Sequence, residues 1–148
     1  LAFAEDRRRT SDVAQCFRQC YDDGGKSVIG LYTINTHSKH YSELPEKYAK
    51  ARPSQGNIPA AYISMTGRDE KYKGGGYGGD LLVDCLKRIA GIAERIGTAV
   101  VVLDVLECGD AKKTKRRIDL YTGYGFQTLP SNSMRMFLPV ATIKWLLG

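Results

Sequence analysis

Lys73-Gly74-Gly75-Gly76-Tyr77-Gly78-Gly79 stands between a short β-branched run and a long periodic apolar stripe, and its reading decides the fold. Glycines this dense let the backbone adopt dihedrals closed to other residues and bring bare N–H groups close to a ligand, at an entropic cost. Where such a turn opens a helix, the unpaired N–H groups and the positive end of the helix dipole form an anion site suited to phosphate. The loop is therefore expected to hold the pyrophosphate of a cofactor.

Downstream, Leu81, Leu82, Cys85, Leu86, Ile89, Ile92, Ala93 and Ile96 recur at helical spacing and predict a helix from Asp80, with Gly97 as its C-terminal cap. Within it, Leu82, Leu86, Ile89, Ala93 and Ile96 are read as core. Residues 98–106 (TAVVVLDVL) have the near-continuous β-branched content of a strand buried on both faces. A helix over 110–121 carries Lys112, Lys113, Lys115, Arg116 and Arg117. Gly123, Gly125 and Phe126 lead into a strand, residues 134–140 give the last strand and 141–147 a short helix.

Upstream, residues 60–66 (AAYISMT) and 26–34 (KSVIGLYTI) read as strands, with Gly30 marking a bulge or a close backbone approach. Residues 5–21 place Val13, Cys16, Phe17, Cys20 and Tyr21 at spacings of three and four and predict a helix. The polar stretch 35–57 reads as a long connection, with a short helix over 45–51. Together these elements predict a mixed α/β sheet with helices on its faces.

At 148 residues, with 43% hydrophobic and 26% charged side chains, the chain is expected to form one globular domain over residues 1–148. It lacks an apolar run long enough for a bilayer, so no membrane partner is expected. Leu1-Ala2-Phe3-Ala4 is too short for a signal sequence, and the start without methionine reads as a truncated N-terminus. The four cysteines (Cys16, Cys20, Cys85, Cys108) suggest no disulfide scaffold and point to a reducing, cytoplasmic setting. With His37 and His40, Cys16 and Cys20 match no zinc spacing, so no metal is expected. A net charge of +6, from 22 basic and 16 acidic residues, suggests an acidic partner such as nucleic acid or a polyanionic cofactor.

The glycines also satisfy G-x-G-x-x-G, and Asp104 ends the next strand where a dinucleotide fold places its ribose-binding acid. In that fold the first glycine follows directly on the strand, whereas charged residues 68–73 intervene here. Only one convincing β-α-β crossover is present, and no lysine-hydroxyl pair of a nucleotide-hydrolysing loop follows the glycines.

A different signature fits better. Lys73-Gly74-Gly75-Gly76-Tyr77-Gly78 resembles the Q/R-x-x-G-x-G/A motif of the GNAT superfamily of N-acetyltransferases, with Lys73 at the Gln/Arg position and Gly76 and Gly78 at the small positions. Leu120-Tyr121-Thr122-Gly123-Tyr124-Gly125-Phe126 is similar to the F-Y-x-x-x-G-F ending of the helix that faces the thioester. A narrower resemblance is to the GNAT toxins of bacterial toxin-antitoxin modules. Val28-Ile29-Gly30-Leu31-Tyr32-Thr33-Ile34 looks like their V-x-G-Y-Y-T-L strand, and Leu44-Pro45 like their L-P element. Gly125-Phe126-Gln127-Thr128-Leu129-Pro130 and Met134-Arg135-Met136-Phe137-Leu138-Pro139 are close to their G-F-x-P-L-P and L-R-L-F-L-P endings. Gly75, where a basic or polar residue is common, and Arg68, where a strand valine is usual, depart from the pattern.

The resemblance implies a GNAT fold: a mostly antiparallel twisted sheet, splayed at the cofactor cleft, with helices on both faces. It implies an acetyl-CoA-dependent N-acetyltransferase whose acceptor is the amino group of aminoacyl-tRNA, acting as a translation-inhibiting toxin. An antitoxin with a DNA-binding domain is the implied partner, and a homodimer is a further expected assembly. Thr66, Arg68, Lys73, Gly74, Gly75, Gly76, Tyr77, Gly78 and Gly79 would bind the cofactor. Tyr121 would be the catalytic acid; taken without the motif, it is one of nine tyrosines and reads as packing for a helix end. Arg7 to Arg9, Lys47, Lys50, Arg52 and the cations of residues 112–117 would touch RNA phosphates or simply face solvent. The alternatives are acetylation of a small-molecule or protein amine and a non-catalytic nucleic-acid-binding module.

Overall fold

Sheet pairing decides which of the local periodicities survive. The computed structural model describes residues 2–5, 14–20, 27–40, 43–45, 57–72, 74–107 and 109–147. Strands β1 (Ala2–Glu5), β2 (Ala14–Cys20), β3 (Val28–His40) and β4 (Asn57–Arg68) form an antiparallel meander. Helix α1 (Tyr77–Ile96) then crosses over to β5 (Val100–Asp104), which lies parallel to β4. After α2 (Ala111–Gly123) come β6 (Gln127–Leu129) and β7 (Asn132–Pro139), and α3 (Val140–Leu147) follows. Among the described residues the sheet has seven strands in the order β1-β2-β3-β4-β5-β7-β6, antiparallel except at β4/β5.

Two expectations about secondary structure are corrected. Where the expected helix over residues 5–21 is described, it is replaced by strand: Ala14–Cys20 is in register with β3, and Ala2–Glu5 pairs with it. Cys, Phe and Val are modest helix formers, and spacings of three and four within so short an apolar run do not exclude a strand, so pairing with β3 wins. The connection over 35–57 is also shorter than expected, because β3 runs on to His40 and β4 starts at Asn57, with Asn35 opposite Tyr62 and His40 opposite Asn57. His37 and His40 therefore sit on a strand. A polar hairpin extension has no apolar alternation to betray it; its backbone pairing supplies the order. Of the expected helix over 45–51, only Pro45 lies among the described residues.

The core has two parts, one on each side of the sheet. Tyr32, Ile34, Ala61, Ile63, Val101, Leu103, Met136 and Leu138 face α1, α3 and the inner side of α2. Their neighbours in alternation, Ile58, Ala60, Val100, Val102 and Phe137, cluster with Leu44 and Leu129 on the other side. Helix α1 buries Leu81, Leu82, Cys85, Leu86, Ile89 and Ala93 and ends at Gly97, whose φ of 71° is left-handed and whose N–H donates to the Ala93 carbonyl at 3.0 Å. Each fully buried Leu or Ile contributes roughly 1.5–3 kcal/mol. Ile96, expected in the core, is 61% exposed in the last turn, where the helix runs past its cover.

Two irregularities interrupt the strand pairing. Gly30 and Val28 pair with Gln19 and Cys20, so Ile29 is the extra residue of a bulge. Thr33 and Ile34 pair with Met65 and Ile63, so Ser64 is the extra residue in β4.

Candidate active site

The Ser64 bulge lies where β4 leaves β5. Parallel pairing stops at Ile63/Leu103, while β4 continues to Arg68. Past β5, Val105 instead donates to the Met134 carbonyl at 2.7 Å, following β7. The strands thus diverge and open a cleft of about 520 Å³. Thr66, Gly67 and Arg68 form one wall, and Lys113, Arg116, Arg117, Leu120 and Tyr121 of α2 the other. Gly74, Gly78 and Leu81 close the end at the glycine loop, and Glu70 contributes a carboxylate.

The loop is built to present backbone. Gly74 and Gly76 have φ of 86° and 76°, a region L side chains rarely adopt. Gly76 caps α1 without a side-chain hydrogen bond, so the first-turn N–H groups lack an internal acceptor of that kind. A Cβ placed on Gly78 would meet nothing nearer than Arg68 Nη1 and Leu120 Cδ2, both at 4.0 Å, so this face of the first turn opens into the cleft. Gly75 and Gly79 serve packing: a Cβ there would lie 2.6 Å from the Tyr77 ring and 3.0 Å from the Tyr124 hydroxyl, respectively. Bare helical N–H groups, Arg68, Lys113 and Arg116 suit the phosphates of a coenzyme A derivative.

Of the expected cofactor residues, the structure brings Thr66, Arg68, Gly74 and Gly78 to the cleft. Gly75, Gly76, Tyr77 and Gly79 shape the loop and first turn, and Lys73 lies outside the described residues. Lys113, Arg116 and Arg117, expected to meet RNA phosphates or solvent, also line this cleft. Their spacing from Leu120 and Tyr121 was the available signal, because residues 113, 116, 117, 120 and 121 share one helical face.

Tyr121 stands at the inner end of the cleft. Its ring packs edge-on to Phe126 with centroids 5.9 Å apart, and its carbonyl accepts from the Phe126 N–H at 3.1 Å. Burial pushes the phenol above its ordinary value, opposed by the Arg117 guanidinium. The group is therefore a protonated donor at neutral pH.

Beyond Tyr121, a pocket of about 60 Å³ shares Thr66, Arg117 and Tyr121 with the cleft and adds Tyr62, Ser64, Asp104 and Leu106. Asp104 is engaged rather than available as a ribose ligand: Arg135 donates Nε to Oδ1 at 2.5 Å and Nη2 to Oδ2 at 2.8 Å, and the Tyr62 hydroxyl donates to Oδ2 at 2.5 Å. Burial, then the hydrogen bond to Asp104, raises the Tyr62 phenol. His37 lies beside this network, its ring centroid 5.3 Å from that of Tyr62. Behind the cleft, the fully buried Tyr32 hydroxyl donates to Asp84, which Arg88 also holds at 3.0 Å. Cys85 is a buried thiol pushed far up by desolvation, hence inert. Among the described residues no helix is long and apolar enough to cross a membrane.

No family model matches the chain. The probable toxin TacT of Sinorhizobium fredii (strain NBRC 101917 / NGR234) is 65% identical over 127 residues, which cover 86% of this chain and 70% of that protein. The tRNA-acetylating toxin of Mycobacterium tuberculosis (strain ATCC 25618 / H37Rv) is 24% identical over 135 residues, covering 91% and 74%. Among solved structures, AtaT complexed with acetyl-methionyl-tRNAfMet superposes with a TM-score of 0.78 at 20% identity, over 92% of this chain and 76% of that one. AtaTR bound with AcCoA gives 0.73 at 20% identity, over 92% and 76%. The KacTA-DNA complex gives 0.73 at 19% identity, over 95% and 77%.

Proposed function

Since the chain belongs to the TacT family of GNAT toxins, we propose that it acetylates the amino group of aminoacyl-tRNA with acetyl-CoA and so blocks translation. The observation that carries this reading is the divergence of β4 from β5, which joins the uncapped, cation-lined α1 terminus to Tyr121 and the small pocket beyond.

Acetyl-CoA, when bound, supplies an acetyl group activated as a thioester. The first-turn N–H groups of α1, with Arg68, Lys113 and Arg116, hold its phosphates. The end of β4 near Thr66 and Gly67 offers backbone groups to the pantetheine amides. The small pocket admits the acceptor from the other side, so that the neutral amine meets the carbonyl in line. Tyr121 faces both spaces and gives its proton to the departing thiolate, a transfer its raised pKa keeps ready at neutral pH. The cations of α2 also suit the phosphates of a polynucleotide acceptor. We place the protein in the cytoplasm, with an antitoxin that carries a DNA-binding domain as its partner.

Release of the coenzyme A thiol, followed with aminoacyl-tRNA, uncharged tRNA and small amines in parallel, tests the proposal. Turnover confined to aminoacyl-tRNA is expected. Turnover with small amines alone would move the assignment to the rival acceptor class, and none with any amine would refute it.

A further inference from the structure

The cleft and the small pocket meet at three side chains, Thr66, Arg117 and Tyr121. Arg117 precedes Tyr121 by one turn of α2, so both leave the same face of the helix. Its guanidinium is anchored, since Nη1 donates to the Leu106 carbonyl at 3.0 Å just past the end of β5. Lys113 and Arg116 line the cleft but not the small pocket; Arg117 is the α2 cation that borders both.

We propose that Arg117 is a positioning residue for the acid step, fixing a positive charge at the joint of the two pockets to stabilise the phenolate that Tyr121 becomes on losing its proton. The inference rests on the reading of Tyr121 as the proton donor. In the transfer, the bond from amine nitrogen to acetyl carbon forms and the C–S bond breaks. The Tyr121 Oη proton goes to the departing sulfur, and the proton shed by the acetylated nitrogen returns through water to the phenolate. Burial makes Tyr121 a reluctant acid, and Arg117 acts against it; Cys85 of α1, a neutral buried thiol, adds no charge. The other charged or titratable groups facing the two spaces are Arg68 and Tyr62 of β4, Glu70, Lys113, Arg116, and Asp104 of β5. Asp104 is held by Arg135 and Tyr62, and of the cations Arg117 is the one that lines the small pocket with Tyr121 and opposes the rise of its phenol.

The test compares R117M, R117K, Y121F and R117M/Y121F in turnover of acetyl-CoA with aminoacyl-tRNA. It adds a tyrosinate absorbance titration of the substrate-free protein, with Y121F subtracted to isolate Tyr121. R117M is expected to lower kcat about tenfold, a fraction of what a general acid contributes, with KM for acetyl-CoA little changed. R117K, which keeps the charge, is expected to recover most of that loss. On the Y121F background R117M should cost nothing more, and in R117M Tyr121 should ionise at higher pH than in the wild type. An equal loss on the Y121F background, a loss confined to KM, or an unmoved Tyr121 titration would each overturn the inference while leaving Tyr121 its role. Full activity in Y121F would instead remove the reading of Tyr121 and this inference with it.

Discussion

Replacing Gly30 by alanine perturbs the sheet at the point where it supports the cleft. A Cβ there would lie 2.5 Å from Leu81 Cδ1, 2.7 Å from the Gly67 carbonyl oxygen and 3.4 Å from Arg68 Cα. The Leu81 methyl has little room to turn, being on a side chain only 1% exposed, and the Gly67 oxygen is backbone. The end of β4 must therefore move off β3, or α1 must lift from the sheet. Overpacking of this kind costs ~1–3 kcal/mol, and the reduced freedom of the unfolded chain offsets roughly 0.4–1 kcal/mol of it. The net loss is about 1–2 kcal/mol, which at ~2–4 °C per kcal/mol for a domain of this size lowers Tm by about 2–8 °C. Gly67 and Arg68 also wall the cleft, so acetyl-CoA should raise the Tm of Gly30→Ala by less than it raises that of the wild type. Circular dichroism melts with and without acetyl-CoA read both effects. An unchanged Tm together with undiminished stabilisation by acetyl-CoA would refute the argument.

Tyr121→Phe should lower kcat by ~10²–10⁴ while acetyl-CoA still binds, checked by steady-state kinetics and calorimetry. Because burial raises the Tyr121 phenol above its ordinary 10.0, the wild-type kcat should not lose this donor below that pH and should fall only above it, as a pH-rate profile would show. Gly78→Asp should fold normally, since its Cβ has space and a carboxylate suits the first turn of a helix, yet should weaken acetyl-CoA at least about tenfold by facing its phosphates. Tyr32 is held neutral by burial and by Asp84, with its phenol raised above 10.0 in the folded protein. Its contribution is therefore whole below the unfolded value of about 10 and is lost as pH rises toward the folded value, so urea stability should decline in alkali, less steeply in Tyr32→Phe.

The parts of this fold legible in the sequence were those where local chemistry and tertiary packing agree. The α1 stripe, its Gly97 cap, the β-branched run into β5 and the close approach at Gly30 all appear where their side chains require. Residues 14–20 and 35–40 were misread because their strand character is conferred by partners: β2 forms on β3, and the polar half of β3 on β4. The glycine loop and Tyr121 were legible through motif, and the structure brings Thr66, Arg68, Gly74, Gly78 and Tyr121 to one cleft. The sequence assigns the α2 cations to RNA phosphates or solvent; their place along the cofactor cleft is not legible there, because only the fold turns that face of the helix toward β4.

Acetyl transfer to the aminoacyl amine is tested most directly by mass spectrometry of nuclease-digested aminoacyl-tRNA after incubation with the protein and acetyl-CoA. The account predicts N-acetyl-aminoacyl-adenosine with the wild type and its near absence with Tyr121→Phe. Aminoacyl-adenosine left unacetylated by a wild-type protein that binds acetyl-CoA would contradict it.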